Sequence, residues 1–158
     1  DYRGWDDPIV LTVGDAPQKG TVTVSKTNSE TGSPVDGSTY IVKAEGDVST
    51  PDGTLRYADG QIVATLTTDA EGHATSEPLY LGTYTVYEAK AKDGYALDVA
   101  ENTVALTYQG QEASVFDERI DVADAPTELR LAKVDSLDGE TPIEGAVFRI
   151  WNDAGDFD

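Results

Sequence analysis

The pattern KTNSETGSPVDGSTYIV that begins at Lys26 returns as KVDSLDGETPIEGAVFRI at Lys133. Each copy has a lysine, a glycine six residues on, a proline followed by Val or Ile, a later glycine and a closing aromatic. Each is also preceded by Asp-Ala-Pro, at 15–17 and 124–126. A recurrence 107 residues apart (133 minus 26) marks a tandem array. It divides the chain into the tail of a preceding unit with its linker at 1–17, one complete unit at 18–123, and a linker with the truncated start of a second unit at 124–158. Some thirty residues are too few to bury a core. The last segment is therefore expected to need a neighbouring surface or the rest of its own unit.

Within the complete unit, short runs rich in Val, Ile, Thr, Tyr and Leu alternate with clusters of Gly, Pro, Asp and Asn, which predicts an all-β sandwich or barrel. Strands are expected near 9–13, 21–27, 39–44, 61–67, 83–90, 103–108, 112–118, 128–134 and 146–151. No helical periodicity of useful length competes. The stretch EGDVSTPDGTLRYADG at 45–60 is dense in turn formers and reads as a long surface excursion.

Composition narrows the function. With 30 acidic against 11 basic residues the formal charge is −19, which repels phosphate backbones and anionic membranes, so no nucleic acid and no membrane contact are expected. The absence of cysteine excludes disulfides and thiolate sites. A single histidine, His73, argues against a histidine-based metal site, and no cofactor motif is present. An extracellular β protein without disulfides must be strengthened in some other way.

The strand pattern offers one. In TVTVSK, Lys26 shares a face with the apolar Val22 and Val24. In YTVYEAK, Glu88 falls in line with Tyr84 and Val86, and in EASVFDE, Asp117 with Ala113 and Val115. A lone ionisable residue in such a place is a strand end reaching for water. A lysine and two acids together predict a buried cluster in which the charges compensate. Burial favours the neutral forms of amines and carboxylic acids. A neutral amine held against a protonated carboxyl in a dry site condenses to an amide with loss of water, and a second carboxylate serves as general acid and base.

These residues sit in stretches that resemble a known family. KTNSETGSPVDGSTYIV, LYLGTYTVYEAKAKDGY at 79–95 and SVFDERI at 114–120 are similar to the Cna protein B-type domain of Gram-positive surface adhesins and pilins. The resemblance covers 18–123 and again 127–151. It implies an immunoglobulin-like or transthyretin-like (prealbumin-like) β-sandwich with a partial second repeat, and a spontaneous isopeptide bond between Lys26 and Asp117 assisted by Glu88. Lys133 takes the lysine position of the second unit. Two departures stand out: AKDGY lacks the proline usual before its Gly-Tyr pair, and Asp117 stands where many members have Asn, so that water rather than ammonia leaves. Asn102, in line with Val104 and Leu106, is a lesser rival acceptor.

A bond from 26 to 117 closes a loop of about 90 residues, for which chain entropy gives roughly 4–5 kcal/mol. The role implied is a structural stalk repeat of a cell-surface adhesin or pilin-like protein. Such a repeat is extracellular, anchored to the cell wall through regions outside this sequence, and in contact with neighbouring repeats of the same polypeptide. It is not a turnover enzyme. The alternative is a ligand-binding module for a host matrix protein or glycan, using the 45–60 excursion with Tyr57, or Trp5 and Trp151.

Overall fold

The structure is a computed structural model that describes residues 16–129, 131–149, 151–152 and 155–156. The strand expected at 9–13, with Trp5, lies outside the described residues. Two compact units are present, Asp1–Thr127 and Glu128–Asp158.

The first unit is all-β. Its strands are β1 (Lys19–Asn28), β2 (Thr39–Ala44), β3 (Val48–Ser49), β4 (Leu55–Tyr57), β5 (Ile62–Thr67), β6 (His73–Thr75), β7 (Leu79–Tyr80), β8 (Gly82–Lys90), β9 (Glu101–Leu106) and β10 (Val115–Asp124). One sheet runs β10-β1-β6, with β7 also on β1, and the other runs β5-β2-β8-β9. β1 and β10 are parallel, and these first and last strands among the described residues of the unit lie side by side in register, Lys19 opposite Val115 and Asn28 opposite Asp124.

Period-two alternation explains the packing. β1 turns Val22 and Val24 inward, β2 Tyr40, Val42 and Ala44, β8 Tyr84 and Val86, and β9 Val104 and Leu106; together these fill the space between the sheets. Each fully buried Val or Leu contributes about 1.5–3 kcal/mol. Gly20 is buried under the Phe116 ring, where a Cβ would collide with it.

Four expectations change. The excursion at 45–60 contains a small hairpin, β3 paired with β4, which irregular spacing had concealed. The strand expected at 112–118 starts at Val115 and runs on to Asp124, the first residue assigned to a linker. In the second unit, 128–134 forms no strand among the described residues; Val134 makes a single bridge to Pro142. The 146–151 expectation survives only at its end, where β11 (Trp151–Asn152) pairs with β12 (Gly155–Asp156).

The second unit repeats one feature of the first with high fidelity. After Lys26, Val35 N–H donates to the Lys26 carbonyl, Asn28 N–H to Ser33 and Gly32 N–H to Asn28. After Lys133, Ile143 N–H donates to the Lys133 carbonyl, Asp135 N–H to Thr141 and Gly139 N–H to Asp135. The repeated sequence builds the same turn twice.

Candidate functional site

Lys26 follows Gly20, Val22 and Val24 on the inward face of β1 and has no solvent exposure. Its backbone is tied down on both sides, its N–H donating to Gly72 O at 2.7 Å and its carbonyl accepting from Val35 N–H at 3.0 Å. Gly72 has φ +77°, and a Cβ there would strike the Lys26 carbonyl oxygen, so only glycine fits.

Two carboxylates meet the ammonium. Glu88, on β8, is 4 % exposed and brings Oε1 to 3.3 Å from Lys26 Nζ, while its Oε2 accepts the backbone N–H of Asp98 at 2.9 Å. Asp124, the last residue of β10, is 5 % exposed, and its Oδ2 is in contact with Lys26 Nζ. These approaches are ion pairs by distance and not aligned hydrogen bonds: Lys26 Nζ, Glu88 Oε1 and Asp124 Oδ2 each lack a partner of normal hydrogen-bond geometry. Tyr40, directly across from Glu88 on β2, closes the site, with Lys26 Nζ 5.7 Å from its ring centroid.

The structure thus brings Lys26 and Glu88 together and leaves Asp117 out. Asp117 lies on the outer face of β10 opposite Thr21, where its Oδ1 accepts hydrogen bonds from the Thr21 and Thr23 hydroxyls, both at 2.7 Å. The reason is strand phase. On β10 the even positions Phe116, Ile120, Val122 and Asp124 turn toward the core and the odd ones face water, so a one-residue error of phase moves every side chain to the other face. Continuing the apolar series Ile120, Val122 by two residues finds Asp124. Asn102 is half-buried on β9 opposite Val86, and the second carboxylate beside Lys26 is that of Asp124. Lys133 is exposed, as are Leu129 and Leu131.

One cation and two carboxylates in a dry site would carry a net negative charge if all were ionised, which is costly. Asp124 relieves it. Burial pushes its carboxyl above the usual range, the Lys26 ammonium opposes this, and the Glu88 charge adds to it. The Tyr40 phenol is also pushed up, by burial first and then by the charges of Glu88, Asp124 and Asp98, so it keeps its proton. The arrangement sets an amine in contact with a carboxyl that favours its protonated form, with a second carboxylate beside both.

Away from this cluster, a cavity of about 690 Å³ is lined by Pro17, Gln18, Thr50, Arg56, Tyr80 and Tyr108 among others. The Tyr80 ring is engaged by two cations, Lys19 Nζ at 4.6 Å and Arg56 Cζ at 4.8 Å from its centroid.

The family model described as "SpaA: Prealbumin-like fold domain" matches residues 20–119. No curated protein sequence matches the chain. Among solved structures, the chain resembles the Bacillus anthracis TIE protein, at 23% identity and TM-score 0.52 over 88% of this chain and 23% of that one. It also resembles the minor pilin of Streptococcus agalactiae, at 20% identity and TM-score 0.52 over 75% of this chain and 48% of that one. For the full-length major pilin SpaD from Corynebacterium diphtheriae the values are 22% and 0.51, over 70% and 31%. The chain therefore spans less than half the length of each, and the likeness is one of fold. By the family-model match, which covers more than half of it, the chain belongs to the SpaA prealbumin-like fold domain family.

Proposed function

We propose that this chain is a stalk module of a bacterial surface adhesin or pilin-like protein, held closed by an intramolecular isopeptide bond between Lys26 and Asp124. The observation that carries the reading is the buried Lys26, in contact with Asp124 and 3.3 Å from Glu88. A proton passes from the Lys26 ammonium to the Asp124 carboxylate, giving a neutral pair suited to a dry site. Nζ then attacks Cγ of Asp124. Glu88 takes a proton from the nitrogen and returns it to the departing hydroxyl, so that one water leaves and Glu88 ends as it began. Holding the groups in contact replaces the activation that solution chemistry would need.

The topology supports a mechanical purpose. The bond joins β1 to β10, the parallel first and last strands among the unit's described residues, so tension entering at one end and leaving at the other bypasses the hydrogen-bonded ladder. No reductant cleaves it. In this reading the module is extracellular, its neighbours are further repeats of the same polypeptide, and Lys133 opens another module built on the same turn.

Intact mass tests the reading. The purified chain is expected to be about 18 Da lighter than its sequence, a loss of one water, and the Glu88→Ala variant to show the full mass. Full mass in the parent chain would overturn the cross-link.

One observation favours a second reading. The cavity beside the 45–60 excursion, with the exposed Tyr108 at its rim, has the mixed apolar and polar lining of a ligand site. Saturable binding to a matrix-protein or glycan panel, lost in Tyr108→Ala, would support it.

A further inference from the structure

The site contains one buried polar group that the bond-forming steps leave without a task. The Tyr40 hydroxyl is sealed in the core, with the residue 1 % exposed, and has no hydrogen-bond partner of normal geometry. Orphaned buried hydroxyls are uncommon, because each forfeits its interaction with water. By contrast, Tyr84, the other large buried tyrosine, donates its hydroxyl to the Tyr80 carbonyl.

What lies opposite Tyr40 is informative. β2 and β8 are antiparallel, and Tyr40 and Glu88 are direct cross-strand partners with both side chains inward. Glu88 Oε2 is held by the Asp98 N–H, but Oε1, the oxygen that faces Lys26, has no aligned donor. An unpartnered donor therefore sits across from an unpartnered acceptor. At the equivalent place in the second copy of the repeat, six residues after its proline, the chain has Phe148, which keeps the ring and lacks the hydroxyl.

Resting on the isopeptide reading above, we propose that Tyr40 is a positioning residue for bond formation, its hydroxyl donating to Glu88 Oε1 and fixing the carboxylate where it receives the amine proton. The phenol serves only as a donor, since burial and the surrounding carboxylates keep it protonated. A hydrogen bond to the charged form of a carboxylate favours that form. Without that donor the carboxylate is less well held to receive the amine proton, and a more basic medium is needed to draw the proton off. The other groups facing Glu88 are Lys26 on β1, Asp124 on β10 and Asp98 in the loop before β9, and all of them remain in a Tyr40→Phe variant.

The test follows condensation in time. Full-length chains made in a short cell-free pulse are stopped in guanidinium, then diluted into buffers from acid to mildly alkaline pH, and intact mass is read against time. Tyr84→Phe, which deletes a buried hydroxyl outside the cluster, is the folding control, and circular dichroism monitors refolding of each chain. Tyr40→Phe is expected to lose its water more slowly, on the order of tenfold near neutral pH, with the pH–rate profile displaced to higher pH. Tyr84→Phe is expected to keep the parental profile. An unchanged rate and profile in Tyr40→Phe overturns the role of Tyr40 and leaves the cross-link standing. So does a slowing by one constant factor at every pH, which is what looser packing alone produces. A parent chain that never loses water removes the cross-link and the role of Tyr40 together.

Discussion

Asp117 and Asp124 are the same residue type on the same strand, seven positions apart, and they live in different solvents. Asp117 takes two threonine hydroxyls on the wet face of β10; Asp124 takes the only buried ammonium among the described residues, on the dry face. Nothing in the side chain makes the distinction. Positions of a strand an odd number of residues apart face opposite sides, and in β10 the neighbours that decide which of the two faces the core are Ile120 and Val122. Chemistry in this fold is assigned by strand phase first and residue type second.

The sharpest way to break the comparison is to remove each acid in turn. Asp124→Ala is expected to keep its full mass, to lose the constraint on a loop of about 98 residues, worth about 4–5 kcal/mol by chain entropy, and to leave Lys26 with one carboxylate in place of two. Its melting temperature should fall by on the order of 20 °C. Asp117→Ala deletes two exposed hydrogen bonds and should melt within a few degrees of the parent, still light by one water. If Asp117→Ala instead restored the full mass, the two acids would have exchanged roles. Asp124→Asn sharpens the point: its acceptor releases ammonia, about 17 Da, and the product has the same mass as that of the parent.

Most of the site was legible before the structure, and the part that was not has a definite cause. Lys26 and Glu88 follow from parity because they stand in strands whose apolar neighbours, Val22, Val24, Tyr84 and Val86, leave one choice of phase. In EASVFDERIDVADAP the apolar residues at Val115, Phe116, Ile120 and Val122 occur in both phases, so the pattern alone leaves the face open. Asp-Ala-Pro, which looks like a linker because it precedes each repeat, instead delivers the carboxylate that meets Lys26, since β10 continues to Asp124 and ends there. Tyr40 was hidden for another reason: a large apolar ring on an inward position reads as core, and only the cross-strand register shows what its hydroxyl faces.

Gly72 offers a way to disturb the dry end while sparing the wet one. Gly72→Ala sets a side chain at φ +77° against the Lys26 carbonyl, so β1 must shift exactly where it carries the nucleophile. A loss of about 2 kcal/mol and incomplete water loss are expected. Gly94, with φ +89° and open space around it, separates the two costs: Gly94→Ala carries only the backbone penalty, about 1 kcal/mol, and should be fully cross-linked.

The pH response should distinguish buried from exposed acids. In Lys26→Met no bond forms, and Asp124 keeps the burial and the Glu88 charge that raise its pKa while losing the ammonium that lowered it. A carboxyl whose folded pKa is raised contributes stability that is complete below its ordinary value of 3.8 and is lost as pH climbs through the raised value. Asp52 behaves oppositely: the Thr50 hydroxyl and the Thr54 backbone N–H hold it down to about 2, so its contribution is present above 3.8 and disappears as pH falls toward 2. Thermal melts of Lys26→Met should therefore weaken as pH rises above 3.8, relative to Lys26→Met/Asp124→Ala.

The smallest effect is expected at the ion pair that looks most like the one in the core. Lys92 and Asp36 are in contact, as Lys26 and Asp124 are, but their side chains are 41% and 54% exposed. The Lys92 ammonium lowers the Asp36 carboxyl through its hydrogen bond, whereas burial raises that of Asp124 despite its lysine. Water makes that difference. In the open pair both charges stay solvated and ionised, so the amine never becomes a nucleophile and the acid never becomes an acceptor, however close they come. Lys92→Ala should leave the intact mass deficit untouched and move the melting temperature by no more than about 2 °C, a shift that added salt erases. A second water lost on joining Lys92 to Asp36 would show that contact alone suffices, and would remove burial from the argument for Lys26.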